Sequence, residues 1–306
     1  MIVNVAIPTY KPDNKLLELI KRLNMQTLKP HKIFLVNTAE EYMDVEVYEQ
    51  FNNISIVHIS KEEFDHGGTR DMIMKTLQGD YVVLMTQDAL PADRYVLEKL
   101  IMPMEQDENI AVTYARQLPS KDCGVIERYT RQFNYGDEDI LVSEDDIENM
   151  GIKAYFCSDV CAAYRMNCYD EIGGFPGKTI FNEDMIYASK ALKHGYKKLY
   201  AASARVIHSH NYTALMQFKR NFDLGVSHRQ FSYIFNNELK TENEGIKLVK
   251  NTIAFLIDKG YWYLIPKLVI HSGAKYVGYR LGKMYDRLPE SIVEKCTMNK
   301  SYWMYK

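Results

Sequence analysis

The sequence predicts an α/β chain, a largely parallel sheet covered on both faces by helices and followed by a helical extension. Two observations carry this. Through the first 120 residues, short runs that are apolar at nearly every position alternate with segments whose apolar residues recur at helical spacing. From Leu215 almost to the end the pattern is helical, with breaks near Asn236, Gly260 and Pro289. A chain of 306 residues can hold one large α/β domain with an appendage, or two domains.

Taken in order, VNVAIPTY reads as the first strand and KPDNKLLELIKRLNMQ as the first helix, with Leu16, Leu17, Ile20 and Leu23 at helical spacing. KIFLVNT, ISIVHIS and DYVVLMT read as three further strands. RDMIMKTLQ and DRYVLEKLIMPM are the helices around the last of them. FDHGGTRD, between the third and fourth strands, reads as a turn. Its paired glycines permit φ > 0 and leave N–H groups for an anion, and Arg70 offers a planar fork of donors. IAVTYARQ is another strand. Residues 121–150 are polar and acidic without a clear period, and read as a lid-like excursion. AYFCSDVCAAYR returns to buried-strand character, and NCYDEIGGFPG is a short helix and turn. NEDMIYASKALKHGYKKLY is a helix stopped by Gly195 that runs into a strand. ARVIHSHNYT reads as a short or edge strand with His208 and His210 on one face.

Composition narrows the class. The N-terminus lacks a basic region and goes straight into a strand, so no cleavable signal is expected. No stretch approaches the roughly 20 apolar residues of a membrane-spanning helix. The five cysteines include no CxxC pair, which suits reduced cytoplasmic thiols and argues against a zinc site. Net charge is −2, unevenly spread: from Ile246 to Lys306 there are 11 Lys and Arg against 4 acids, +7, leaving −9 for the rest. That asymmetry points the C-terminal part either toward an anionic partner or to a mixed solvated surface.

In open sheets of this kind ligands bind beyond the carboxyl ends of the strands. Thr9 and Tyr10, Asn37 and Thr38, Arg70, and Gln87 with Asp88 stand at such ends. A lone strand-end Asp is more often a helix cap. Here Asp93 is available to cap the next helix, which leaves Asp88 for a ligand. A Mg²⁺ or Mn²⁺ bridging a diphosphate needs only one or two protein carboxylates. Glu183 and Asp184 open a helix, where acids suit the macrodipole but where one could also serve as a general base. His208 and His210 either complete a metal shell or pack.

AIPTY, HGGTR, TQDALP, NED and VIHSHNYT occur in the order that resembles family 2 glycosyltransferases of the GT-A fold. HGGTR with TQDALP resembles the rhamnosyltransferase-like branch that builds bacterial surface polysaccharides. The resemblance covers roughly residues 1–230. It implies a GT-A nucleotide-diphospho-sugar transferase domain at 1–215 and a C-terminal helical region at 216–306. It places Thr9, Tyr10, Asn37, Asp65, Arg70 and Gln87 at the donor nucleotide and diphosphate, with DHGGTRD as a diphosphate loop. Asn37 stands where the family usually has a base-gripping Asp, and Thr86 where the first carboxylate of the DXD metal motif would be. Asp88 matches that motif's last Asp, with His208 or His210 as a further metal or phosphate contact. Asp184 matches the catalytic base, and Glu183 and Arg116 are expected to orient the base or the acceptor.

The function so implied is inverting transfer of a sugar, L-rhamnose from dTDP-rhamnose by branch resemblance, to a hydroxyl of a growing, lipid-linked bacterial surface glycan. A divalent ion, Mg²⁺ or Mn²⁺, would be the cofactor, and no nucleic acid is involved. A UDP-hexose donor or a non-catalytic sugar-nucleotide-binding relic are the alternatives. A nucleotidyltransferase is disfavoured because PTYKPDN replaces the Gly-rich basic loop it would need after the first strand. The C-terminal run interleaves aromatics with Lys and Arg. It suits packing on the catalytic domain, a homodimer interface near Trp262, or peripheral contact with the inner face of an anionic cell membrane. The expected location is cytoplasmic.

Overall fold

Four parallel strands are laid down before the sheet changes direction. In the computed structural model, which describes residues 1–235 and 238–304, β1 (Val3–Tyr10), β2 (Lys32–Thr38), β3 (Ile54–Ile59) and β4 (Tyr81–Met85) pair parallel in the order 3-2-1-4. β8 (Cys161–Arg165) is antiparallel to both β4 and β6 (Ile110–Leu118) and joins the halves. β9 (Lys197–Ile207) then runs parallel to β6 and also holds two short antiparallel strands, β5 (Leu90–Pro91) and β7 (Ile140–Val142). Among the described residues this makes one nine-stranded sheet.

Alternation along the strands gives the sheet two cores. Val5, Ile7, Leu35 and Val83 meet α1 (Asn14–Asn24) and α3 (Val96–Gln106) on one face. Ala6, Val36, Val82 and Leu84 meet α2 (His66–Thr76), α6 (Met166–Ile172) and α7 (Glu183–Lys193) on the other. On α1, Leu16, Leu19, Ile20 and Leu23 are fully buried, each contributing about 1.5–3 kcal/mol over an exposed position. Asp13 caps that helix by accepting from the Lys15 N–H at 2.9 Å.

Several elements differ from expectation. The HGGTR stretch is no loop. It is the first turn of α2, and neither Gly67 nor Gly68 has positive φ. The reason is Asp65, the N-cap, whose Oδ1 accepts from the Gly68 N–H at 2.7 Å. A Cβ at position 68 would collide with that carboxylate, so glycine there makes room for the cap. Residues 121–150 hold ordered elements: α4 (Val125–Asn134), β7 on the sheet, and α5 (Ile147–Met150). The histidines lie beyond β9, which ends at Ile207, and β9 is no edge strand, because β6 and β7 bond it.

The chain divides into two compact units. One comprises 1–118, 135–178 and 183–208, the other 119–134, 179–182 and 209–306. The second is helical, containing α4, α8 (Ala214–Gln230), α9 (Ser232–Phe235), α10 (Glu238–Asp258), α11 (Ile265–Gly282), α12 (Glu290–Cys296) and α13 (Lys300–Met304). Its core gathers Ile180, Phe222, Val226, Val293, Tyr302 and Trp303. α8 and α11 cross at glycine contacts, where Gly278 meets the Phe218 carbonyl and Gly282 the Phe222 carbonyl. The breaks expected near Gly260 and Pro289 are present, with Gly260 at φ +75° and Pro289 preceding α12. The break expected near Asn236 lies outside the described residues.

Candidate active site

The parallel strands deliver their carboxyl ends to one edge of the sheet. At the end of β2, Asn37 is fully buried, accepting from the Thr9 hydroxyl at 3.2 Å and donating to the Ala39 carbonyl at 3.1 Å. Its amide also lies 3.1 Å from His58 Nδ1. Thr9 and Asn37 therefore brace the two strand ends from within. Tyr10 and Gln87 exchange two bonds, with the Tyr10 N–H donating to Oε1 and Nε2 donating to the Tyr10 carbonyl, both at 3.0 Å. In front of them an exposed ledge forms: the Tyr10 ring meets Tyr42 edge-on at 5.7 Å, with Lys11 Nζ 4.6 Å and Lys61 Nζ 5.1 Å from the Tyr42 centroid. The backbone is strained there, Lys11 and Ala39 holding φ of +47° and +66°. Sequence reasoning named Tyr10 but missed Tyr42, Lys11 and Lys61.

A second group gathers around Arg70. Its guanidinium is nearly buried and lies 3.1 Å from Asp159 and 3.0 Å from Glu183, while donating to the His66 carbonyl at 3.1 Å. The helical start of α2 turns Arg70 inward to these carboxylates, where the sequence had suggested a loop offering it to a diphosphate. Asp184, half-buried, accepts from the Asp159 N–H at 3.1 Å and the Met185 N–H at 2.7 Å. Asp159 and Glu183 thus pair with one buried guanidinium, and Asp184 stands beside them through the Asp159 backbone. Burial, then the charges of Asp159 and Glu183, hold the Asp184 carboxyl well above the usual range. Burial pushes Asp159 up to about 7 despite Arg70 and a 2.5 Å hydrogen bond from the Tyr164 hydroxyl. Burial works against the Arg70 charge, but Glu183, Asp159 and Asp184 outweigh it and hold the group more firmly charged.

Asp159 is a further residue that sequence reasoning missed. The one signal was a single acid inside the otherwise apolar run FCSDVCAA. Of the expected donor-side residues, Asp65 is spent as the α2 cap.

The third group joins β4 to β9. Asp88 lies 3.6 Å from His208 Nε2, and His208 is nearly buried. The other ring nitrogen of His208, Nδ1, is 2.9 Å from Gln117 Oε1. Gln117 Nε2 in turn donates to the Tyr135 hydroxyl at 2.6 Å and to Ser158 Oγ at 2.9 Å. Gln117 thus fixes the orientation of the His208 ring through Nδ1, and Nε2 faces Asp88. Nearby, the Thr86 hydroxyl is shut from solvent without a hydrogen-bond partner among the described residues. A carboxylate oxygen and an imidazole nitrogen converging in this way form a donor set that fits Mn²⁺ or Mg²⁺ when phosphate oxygens complete the shell. His210 belongs to the helical unit, where its ring stacks on Tyr212 at 4.8 Å.

Arg116 stands apart from the Asp184 cluster. Being next to Gln117 on β6, it points to the opposite face, and it lines a shallow cleft with Lys99, Arg205, Asp137 and Asp139.

Comparison with known proteins bears on the family and the fold. The family model for glycosyl transferase family 2 matches residues 4–173. The chain is 38% identical over 305 residues to the O-antigen chain rhamnosyltransferase RfbN of Salmonella typhimurium (strain LT2), covering 99% of this chain and 96% of that one. It is 37% identical over 302 residues to the O-antigen chain rhamnosyltransferase WbaN of Salmonella anatum, covering 98% and 95%. Among solved structures, the mannosyltransferase PcManGT from Pyrobaculum calidifontis, in complex with GDP-Man and Mn²⁺, superposes with a TM-score of 0.56 at 15% identity, covering 99% of this chain and 85% of that one. TarS 1–349 of S. aureus gives 0.53 at 17% identity, covering 94% and 91%. At such identities these two structures bear on the fold alone. The fold, the carboxylate site and relatives matched over nearly their whole length lead to one conclusion: the chain belongs to glycosyl transferase family 2 and is a glycosyltransferase.

Proposed function

We propose that the protein is an inverting rhamnosyltransferase that moves L-rhamnose from dTDP-rhamnose to a hydroxyl of a growing, lipid-linked surface glycan. The observation that carries the chemistry is Asp184, a carboxylate beside Asp159 and the Arg70 cluster whose affinity for a proton is raised first by burial and then by the charges of Asp159 and Glu183. The choice of sugar rests on the two O-antigen rhamnosyltransferase relatives.

In this reading the acceptor oxygen attacks C1 of the donor sugar from the face opposite the diphosphate. The C1–O bond to the diphosphate breaks, its electron pair leaves with the phosphate oxygen, and the acceptor proton passes to a carboxylate oxygen of Asp184. Direct displacement inverts the anomeric centre. Arg70, Glu183 and Asp159 position Asp184 and set its basicity, and they do not touch the sugar. The Tyr10 and Tyr42 rings take the pyrimidine of the donor, with Lys11 and Lys61 beside them for the diphosphate. Asp88 and His208 would hold a divalent ion. When bound, such an ion neutralises charge gained by the departing diphosphate.

Two measurements test this. Differential scanning fluorimetry with dTDP, UDP or GDP, each with Mn²⁺, Mg²⁺ or EDTA, should give the largest stabilisation with dTDP and metal. Nucleotide at 100 times its Kd stabilises by about 2.7 kcal/mol. A larger shift with UDP overturns the donor. Asp184→Asn should lower transfer by about 10²–10⁴-fold while keeping the dTDP shift. Unchanged transfer would remove Asp184 as the base.

A further inference from the structure

The helical unit presents a surface that reverses the usual pattern of an outer helix. On α11 the exposed positions include Pro266, Val269, Ile270, Gly273, Tyr276 and Val277, which follow one another at helical spacing and are apolar or aromatic, with the exposed cations Lys267 and Arg280 toward the two ends of the helix. Val269, Ile270 and Tyr276 keep 55%, 62% and 56% of their surface in solvent. The turn leading into α11 adds Trp262 and Tyr263, at 68% and 59%. A helix with its outward stripe apolar is built to meet something.

Charge says what it meets. Between Gly245 and Met284 the sequence carries seven Lys and Arg and one acid, Asp258, which is itself paired with Lys259 at 2.9 Å. Lys247, Lys250, Lys259, Lys267 and Arg280 are all exposed. Two copies joined through this stripe by a two-fold axis would set basic residues against basic residues, which opposes self-association. Anionic lipid headgroups answer both features: the aromatic and aliphatic side chains enter the headgroup boundary while the cations stay among the phosphates. No helix among the described residues is long and apolar enough to cross a membrane, so the contact would be made along the surface.

We infer that the α11 stripe, with Trp262 and Tyr263, docks the protein on an anionic bilayer. The inference deepens the reading of a lipid-linked acceptor and rests on it for its purpose, but its test does not use the acceptor. The full-length protein is sedimented with phosphatidylcholine vesicles, or with vesicles that also contain phosphatidylglycerol, at low and high salt. Binding is expected only to the anionic vesicles and is expected to fall with salt. Ile270→Glu and Val277→Glu should each weaken it by at least about tenfold, with melting temperature and the dTDP-induced shift unchanged. Equal sedimentation of these variants, or none of the wild type with anionic vesicles, overturns the inference. So does a wild-type dimer in light scattering that Ile270→Glu turns into monomer, because the stripe then belongs to a second copy. Retention of the dTDP shift in a protein that ignores vesicles would leave the transferase reading intact and remove only the membrane one.

Discussion

At the scale of single residues the carboxylate cluster couples activity and stability to pH in opposite directions. As the proposed base, Asp184 must be ionised to accept a proton. Because its carboxyl is held well above the usual range, transfer should fall as pH drops through the region where it becomes protonated. For stability, a carboxyl raised in the folded state binds more protons there than in the unfolded chain. Its contribution is present below the unfolded value and is lost as pH rises through about 7 for Asp159. Each pH unit across that window removes up to about 1.4 kcal/mol. Asp159→Asn should therefore flatten the stability profile between mildly acidic and neutral pH, measured by urea unfolding at several pH values. An unchanged slope would mean that Asp159 does not hold the proton. Asp184, Asp88 and His208 were legible because polar residues at strand and helix ends stand out against apolar runs. Asp159 was not, because its meaning depends on Arg70, 89 residues earlier, reaching it through the fold.

At the scale of elements, glycine decides two different things. In α2 it spares the Asp65 cap. In the crossing of α8 and α11 it lets two backbones touch, at Gly225, Gly278 and Gly282. Gly282→Ala sets a methyl group against the Phe222 carbonyl and should cost about 1–3 kcal/mol, since backbone cannot step aside as a side chain can. Gly273→Ala, on the same helix with nothing within 4 Å of its added Cβ, should instead stabilise by about 0.5–1 kcal/mol. Thermal melts of the two variants moving in opposite directions would establish the contact, and equal shifts would refute it. The strands could be read from the sequence because burial on both faces leaves them uniformly apolar. The helical start at HGGTR was obscured by glycine's low helix propensity, although Asp65 is itself a preferred N-cap residue. α4 was hidden because it opens and closes among acids and glycines, which dilute its period.

For the whole molecule, the parallel half-sheet and the C-terminal helices were predictable from periodicity alone. The assignment of 119–134 and 179–182 to the helical unit was not, since it depends on contacts between distant parts of the chain. All five cysteines are free thiols, four of them buried. Burial pushes Cys157 and Cys161 well above the ordinary thiol range, which leaves them unreactive. The melting temperature should accordingly be the same with and without reductant, and a drop on reduction would expose a disulfide that the fold does not contain.

The ledge of Tyr10 and Tyr42, the Asp88–His208 pair and the Arg70 cluster sit on different elements of one sheet edge and share no side chain. On the proposed roles, base recognition and proton handling are therefore separable modules. Grafting residues 39–48 from a relative with another nucleotide preference would be the economical route to a new donor, with Asp184 and its neighbours left as they are.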